Sequence, residues 1–341
     1  GCEVRVSESL QRDFSLHSSL SLYLVETLAL IEPELPTYAL DVLSLVEAVL
    51  EHPRPVIFAQ ERRAKDELMA KLKAEGVEYE ERMAELERVT YPKPNAEFIY
   101  HTFNEYARKH PWLAEDNIRP KSVAREMYEG YASFSEYIKR YGLPGSEGVL
   151  LRYLSEVYRT LVQSVPAQYY TDELTDIVSF LRATLQRVDN TLVQEWESML
   201  LGPTTETTEE PRAGYDLVHD EKAVRACIRA DLHLLVKALS EKDYAEAASL
   251  VQSDPDDAWT EERFDKTLAA FYAEHARMVF GPEARRSEKT QISALPDHHF
   301  KVVQILVDDA GDNNWYLEGV VDARVPITRD EPLLRLREIR S

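Results

Sequence analysis

NIRPKSVAREMYEGYASFSEYIKRYGLPGSEGVLLRYLSEVYRTLVQ, residues 117–163, decides the fold of the first half of this chain. Arg119-Pro120-Lys121-Ser122 is expected to open a helix, because proline tolerates a first-turn position and Val123, Met127 and Tyr131 follow at helical spacing. Ser133-Phe134 restarts a second helix, which runs to Tyr141. The segment 142–145, with Gly142, Pro144 and Gly145, breaks it, and Ser146 is the next N-cap. From Glu147 onward Val149, Leu150, Leu154, Val157, Tyr158 and Leu161 make one apolar stripe. The spacing predicts a long packed helix.

The opposite face of that helix is polar. Arg152, Ser155, Glu156 and Arg159 fall at i, i+3, i+4 and i+7 and form one row along the axis. Two readings of such a row compete: a solvated surface with a weak Arg152–Glu156 pair, or a face that touches a polyanion. Residues 119–159 hold seven Lys/Arg against five Glu, the least acidic part of an acidic molecule, and Arg119 and Lys121 belong to the same stretch.

Phe134-Ser135-Glu136-Tyr137-Ile138 followed by Glu147-Gly148-Val149-Leu150-Leu151-Arg152 resembles the DSHCT-type domain that ends exosome-associated DExH-box RNA helicases of the superkiller-like group. The wider stretch 14–200, including SLYLVETLALIEPELPTYALDVLSLVEAVLE and RPKSVAREM, is similar to a region found after the motor domains of bacterial DEAD/DEAH-box helicases. The resemblance implies that the long helix is a ratchet beneath single-stranded RNA or DNA, with Arg152, Ser155, Glu156 and Arg159 along its polar row and Arg119 and Lys121 as further contacts. It also implies motor domains N-terminal to this segment as partners. Where the eukaryotic pattern has a basic residue this chain has Glu156, and where that pattern has an acidic one it has Arg159.

The chain itself has no G-x-x-x-x-G-K-[ST] loop and no DExH box, so no cofactor is expected in it, and ATP and magnesium belong to the missing motor. A formal charge of −21 over 341 residues argues against a free-standing nucleic-acid binder, since phosphate contacts need a basic surface. A basic motor would supply it. Gly1 in place of an initiator Met suggests a cut inside a longer polypeptide. Two cysteines, Cys2 and Cys227, are too few for a disulfide framework and point to a reducing, cytoplasmic compartment. No run reaches the roughly 18 apolar residues of a membrane span, and no signal peptide is evident.

Outward from the central stretch, residues 18–31 and 38–50 read as two apolar helices separated by Glu32-Pro33-Glu34-Leu35-Pro36. Residues 56–89 carry dense charge around Leu68, Leu72, Met83 and Leu86, the pattern of a projecting helical hairpin with Gly76 between its halves. Residues 96–110 form a helix with Phe98, Ile99, Thr102, Phe103 and Tyr106 inward, and Trp112 is expected as a core plug. Residues 171–185 and 188–200 complete an all-helical bundle over 1–201. Residues 202–213, rich in Thr, Glu and Pro, are a linker.

From 214 to 341 the periodicity changes class. Residues 221–239, 243–250 and 261–278 are helical, and 290–293, 299–307, 315–323 and 333–339 read as strands, with 308–314 a hairpin loop. The whole is an α+β multi-domain chain. Its second half resembles, in pattern only, an NTF2-like, cystatin-type cone, which implies a pocket that Tyr272, His275 and Trp315 would face. His298 and His299 cannot chelate one metal from adjacent strand positions, which point to opposite faces. A second function therefore stands beside the helicase module: a stand-alone scaffold or small-molecule-binding protein.

Overall fold

The computed structural model describes residues 20–111, 117–143, 145–188, 221–252, 257–281, 283–323 and 332–341. They fall into two units, 20–188 and 221–341. Among them are twelve α-helices, mostly in the first unit, and one four-stranded antiparallel sheet in the second. The fold class is mixed α+β. The expected linker at 202–213, the helix at 188–200 and Trp112 lie outside the described residues.

In the first unit α1 (Leu20–Leu28) and α2 (Tyr38–Val49) flank the proline-bearing turn. Helix α2 packs against α1 and against three later helices, α6, α8 and α9, which explains why nine of its twelve residues are buried. Helices α3 (Arg54–Ala74) and α4 (Tyr79–Arg88) form the expected hairpin around Gly76, whose φ of 73° a side chain would resist. All four buried residues of α3 lie in its first two turns, so the hairpin is anchored at one end. Helix α5 (Ala96–Lys109) lays Ile99, Thr102, Phe103 and Tyr106 inward. The Tyr23 hydroxyl on α1 donates to the Ile99 carbonyl at 3.0 Å, so this polar tip is satisfied within the core.

The central stretch gives α6 (Ala124–Glu129), α7 (Phe134–Tyr141) and α8 (Glu147–Ser164), and α9 (Asp172–Val188) follows. Helix α7 begins at a capping box: Ser133 Oγ accepts from Glu136 N, and the Glu136 carboxylate accepts from Ser133 N. Helix α6 corrects the sequence expectation, since it starts five residues after Arg119. Its N–H groups are capped from a distance. The Glu47 carboxylate of α2 accepts from Val123 N at 2.8 Å, Ala124 N at 2.9 Å and Arg125 N at 3.1 Å, and these donors fix where the first turn begins.

In the second unit α10 (Glu221–Ser240), α11 (Tyr244–Ser249) and α12 (Glu261–Glu274) precede β1 (Thr290–Leu295), β2 (His299–Ile305), β3 (Tyr316–Asp322) and β4 (Leu334–Arg340). The strands pair in the order β1-β2-β3-β4, a meander. Helix α12 ends before His275, four residues short of the expected end, because Met278 forms a bridge with Asp308 instead. Strand β4 buries Leu334, Leu336 and Ile339, a spacing that breaks strict alternation. A bulge opposite Glu318 and Gly319 inserts Arg337 and returns Ile339 to the inner face beside Leu317. The loop between β2 and β3 is organised by buried Asp308, whose Oδ1 accepts from Ala310, Gly311 and Asp312 N and whose Oδ2 accepts from Asn313 N. No helix among the described residues is long and apolar enough to cross a membrane.

Candidate nucleic-acid interface

Helix α8 has two chemically distinct faces. Its inner face buries Leu150, Tyr153, Leu154, Val157, Tyr158, Leu161 and Val162. Val149, expected in the stripe, is 41 % exposed, and Tyr153 takes an inward place instead. The reason is polar: the Tyr153 hydroxyl donates to Glu47 Oε1 at 2.9 Å. The same carboxylate therefore caps α6 and holds α8, joining three helices at one buried point. Burial raises the Glu47 pKa, and the backbone donors of residues 123–125 and the Tyr153 hydroxyl pull against that rise.

The outer face carries the polar row. Arg152 is exposed, donates to Glu156 Oε1 at 3.1 Å and reaches Glu51 Oε2 at 3.6 Å. The hydrogen bond and charge of Glu156 raise its pKa further. Ser155 turns its hydroxyl back onto the Leu151 carbonyl at 2.8 Å, and Arg159 donates to Gln163 Oε1 at 2.9 Å. Partial burial lowers the Arg159 pKa. Arg152, Ser155, Glu156 and Arg159 are thus brought onto one face, Arg152 held to Glu156, Ser155 to the Leu151 carbonyl and Arg159 to Gln163. From Arg152 to Arg159 the row spans about 10 Å at 1.5 Å per residue.

Arg119 is exposed, and its backbone N donates to the Ala48 carbonyl at 3.1 Å. Lys121 is not a surface cation. It is fully buried, and its ammonium donates to the Leu50 carbonyl at 2.8 Å and the Arg119 carbonyl at 3.1 Å. Desolvation lowers its pKa to about 8, against the raising influence of Glu47. Lys121 therefore fixes the backbone beneath Arg119, and its expected contact with nucleic acid is corrected. Glu47 went unnoticed in the sequence. Its signal was there: the one acid between Val42 and Leu50, a mostly apolar run in which only a set of donors can hold it in place.

A second network binds α3, α6 and α7. Gln60 donates to the Ser122 carbonyl and to Glu126 Oε2, both at 2.6 Å, and Tyr137 and Tyr141 donate to the same Glu126 carboxylate.

One family pattern, described as a domain of unknown function (DUF3516), matches residues 1–339. The chain belongs to the DUF3516 family. No curated protein and no solved structure matches it. The match takes in both units of the DUF3516 chain, so the polar row of α8 and the α+β second unit fall within one family.

In the second unit of this DUF3516 chain, Tyr272, His275 and Trp315 do come together, around Phe271. Ring centroids lie 5.2, 5.1 and 5.7 Å from the Phe271 ring. Their polar atoms are engaged within the protein. The Tyr272 hydroxyl donates to the Leu239 carbonyl at 3.2 Å, and Trp315 Nε1 donates to Glu274 Oε2 at 2.9 Å. His275 lies between Glu274 at 3.9 Å and Asp308 at 3.8 Å. Burial pushes the Tyr272 pKa up to about 12. The trio is a packed aromatic cluster, with His275 and Trp315 9 % and 6 % exposed. His298 sits in the turn before β2 with φ 53°, and His299 Nε2 lies 3.6 Å from Asp322. Among the described residues no three His, Cys, Asp or Glu side chains are placed to hold a metal ion.

Proposed function

We propose that this DUF3516 chain is the C-terminal accessory region of an ATP-dependent DEAD/DEAH-box RNA helicase, where α8 guides single-stranded nucleic acid through the motor. The observation that carries this reading is the division of α8: an outer row of Arg152, Ser155, Glu156 and Arg159 on a helix whose inner face is fixed through Tyr153 and Glu47. A guide needs such a combination, because side chains that meet a moving strand must not themselves be displaced. The resemblance to the superkiller-like helicases supplies the motor, with its ATP and magnesium, and a basic surface to offset the charge of −21. We further take the second unit, three helices ahead of a four-stranded meander, as an NTF2-like cone appended to the guide.

The test is the double substitution Arg152→Glu/Arg159→Glu in the motor-bearing protein. Arg152 is exposed, where substitution moves stability by no more than about 0.5 kcal/mol, and helical circular dichroism checks that the variant at half-buried Arg159 is folded. Unwinding and single-strand affinity should fall, with a shallower salt dependence as attractive contacts become repulsive. Lys71 and Lys73, exposed at the far end of α3, are the matched control. Arg63 is unsuitable, since it donates to the Arg140 carbonyl at 2.8 Å and lies over the Tyr141 ring. Equal losses from the two pairs would reduce the effect to bulk charge, and no loss at Arg152 and Arg159 would reject the reading.

A further inference from the structure

Three segments that are distant in sequence meet at one surface of the first unit. The Lys121 ammonium holds the Leu50 carbonyl, and Arg119 N holds the Ala48 carbonyl, which docks residues 119–121 onto the end of α2. The His52 ring stands edge-on to the Tyr91 ring at 5.3 Å, which brings in the segment before α5. The Lys93 ammonium lies 4.5 Å above the same Tyr91 ring. Arg54 opens α3 at this place, and the first turn of that helix has no acidic residue.

Many cations of the unit stand beside acids, as in Arg63–Glu67, Lys65–Glu61 and Arg152–Glu156. Arg54, Lys93 and Arg119 make no ion pair among the described residues. They are close enough to His52 that burial, then Lys121, Arg119, Arg54 and Lys93, lower its pKa to about 4. Arg54, Lys93 and Arg119 thus gather at one place in a chain with 61 acidic and 40 basic residues, with Glu51 and Glu61 as the neighbouring acids.

Aromatic rings accompany them. Phe58 is 67 % exposed, one turn after Arg54 on the same face of α3. Burial raises the Tyr91 pKa, Tyr100 and then Glu61, one turn further on that face of α3, raise it further, and Arg119 pulls against them, so all three lie within charge range of the Tyr91 hydroxyl. Tyr100 is itself 41 % exposed. Exposed rings among cations match the pattern by which proteins hold unpaired bases over a tracked phosphate backbone. A purely acidic peptide has no use for the rings.

We propose that Arg54, Phe58, Lys93, Tyr100 and Arg119 form a second contact surface for single-stranded nucleic acid, the cations taking phosphates and the rings stacking on bases. It rests on the reading that the chain guides a strand, and it extends the path. Glu51, beside His52, meets Arg152 at 3.6 Å, so this surface borders the start of the α8 row. A strand leaving the row at Arg152 reaches Arg54 and Arg119 next.

The experiment measures binding of a fluorescein-labelled oligouridine to the motor-bearing protein by anisotropy, across a salt series. It compares wild type with Arg54→Glu/Arg119→Glu, Phe58→Ala/Tyr100→Ala and Arg152→Glu/Arg159→Glu, with helical circular dichroism to confirm folding and Arg54→Gln/Arg119→Gln as a gentler second variant. The charge variant should lose at least about tenfold in affinity and flatten the salt slope by about 1.4, or about 0.7 per phosphate contact. The aromatic variant should lose about tenfold with the salt slope unchanged, since stacking is not ionic. Loss in the α8 variant with both surface variants binding as wild type would overturn this surface and leave the α8 guide standing. Loss in the surface variants alone would support it and reject the row. Loss in the charge variant but not the aromatic one, or displacement of the oligouridine by polyglutamate as effective as by unlabelled oligouridine, would overturn the single-strand assignment in favour of an acidic-peptide site. Absence of binding at low salt would overturn both readings.

Discussion

Replacing Glu47 with Ala is the most demanding perturbation of the first unit. The substitution removes the acceptor of three backbone N–H groups at the start of α6 and of the Tyr153 hydroxyl. Each buried donor left without a partner costs about 1–3 kcal/mol, and these costs are not additive within one network. The Lys121 ammonium also loses the nearby charge that raises its pKa. The expected loss for Glu47→Ala is therefore about 3–5 kcal/mol, a large share of a stability of roughly 5–15 kcal/mol. Glu47→Gln keeps one acceptor oxygen and should lose less, and Tyr153→Phe, which removes a single hydroxyl, should lose only about 1 kcal/mol. Urea unfolding followed by helical circular dichroism gives the order. The gap between wild type and Glu47→Ala should also narrow with pH. The raised pKa of Glu47 means that its contribution is full below the ordinary carboxylate range and declines as pH rises through the folded value. The lowered pKa of Lys121 imposes a penalty below about 8 that fades as pH rises toward the ordinary lysine value, and the penalty is larger without Glu47. The Lys121 part of the gap narrows from about pH 8 up to the ordinary lysine value, and the Glu47 part acts in the same direction. A loss below about 1 kcal/mol for Glu47→Ala, or a gap that widens with pH, would refute the assignment of Glu47 as the junction of α2, α6 and α8.

Two further outcomes follow from single residues. His52, held near a pKa of about 4 by burial and its cationic neighbours, refuses a proton that the unfolded chain accepts, so stability should fall as pH drops from about 6.5 toward 4; His52→Gln should flatten that slope in acid titrations of the urea midpoint. A Cβ on Gly319 would stand 2.7 Å from Leu334 Cδ1 and 2.8 Å from the Arg335 carbonyl oxygen, and the backbone oxygen cannot yield, so Gly319→Ala should cost about 1–3 kcal/mol and lower the thermal midpoint.

Period and punctuation made most of the architecture legible. The proline-bearing turn before α2, the glycine in the α3–α4 hairpin, the Ser133 box and the alternating strands all act within a few residues, where sequence patterns carry their information. The places that escaped depend on partners remote in the chain. Helix α6 starts late because its cap belongs to Glu47, and Tyr153 turns inward to donate to the same carboxylate. Strand β4 loses alternation because a bulge opposite β3 re-phases it. The α8 row was readable from spacing alone. Lys121 was not, because composition cannot tell a buried lysine beneath two carbonyls from a surface cation. Arg54 and Lys93 were equally hidden, since only the docking of three separate segments brings them beside Arg119, which the sequence did single out.

The cap that Glu47 supplies to α6 spans 76 residues of sequence. A helix of six residues is far below the length at which helical turns persist unaided, and Ala124–Glu129 carries no side-chain cap from its own preceding residue. The instruction for where α6 begins is thus written at position 47 and not in the stretch that becomes α6. Residues 117–131 have no shape to offer until α2 is in place, and the turn that presents Arg119 is a product of long-range closure. Any ligand that grips Arg119 accordingly pulls on the seating of α2, so its binding and the integrity of the first helical pair would be one linked equilibrium.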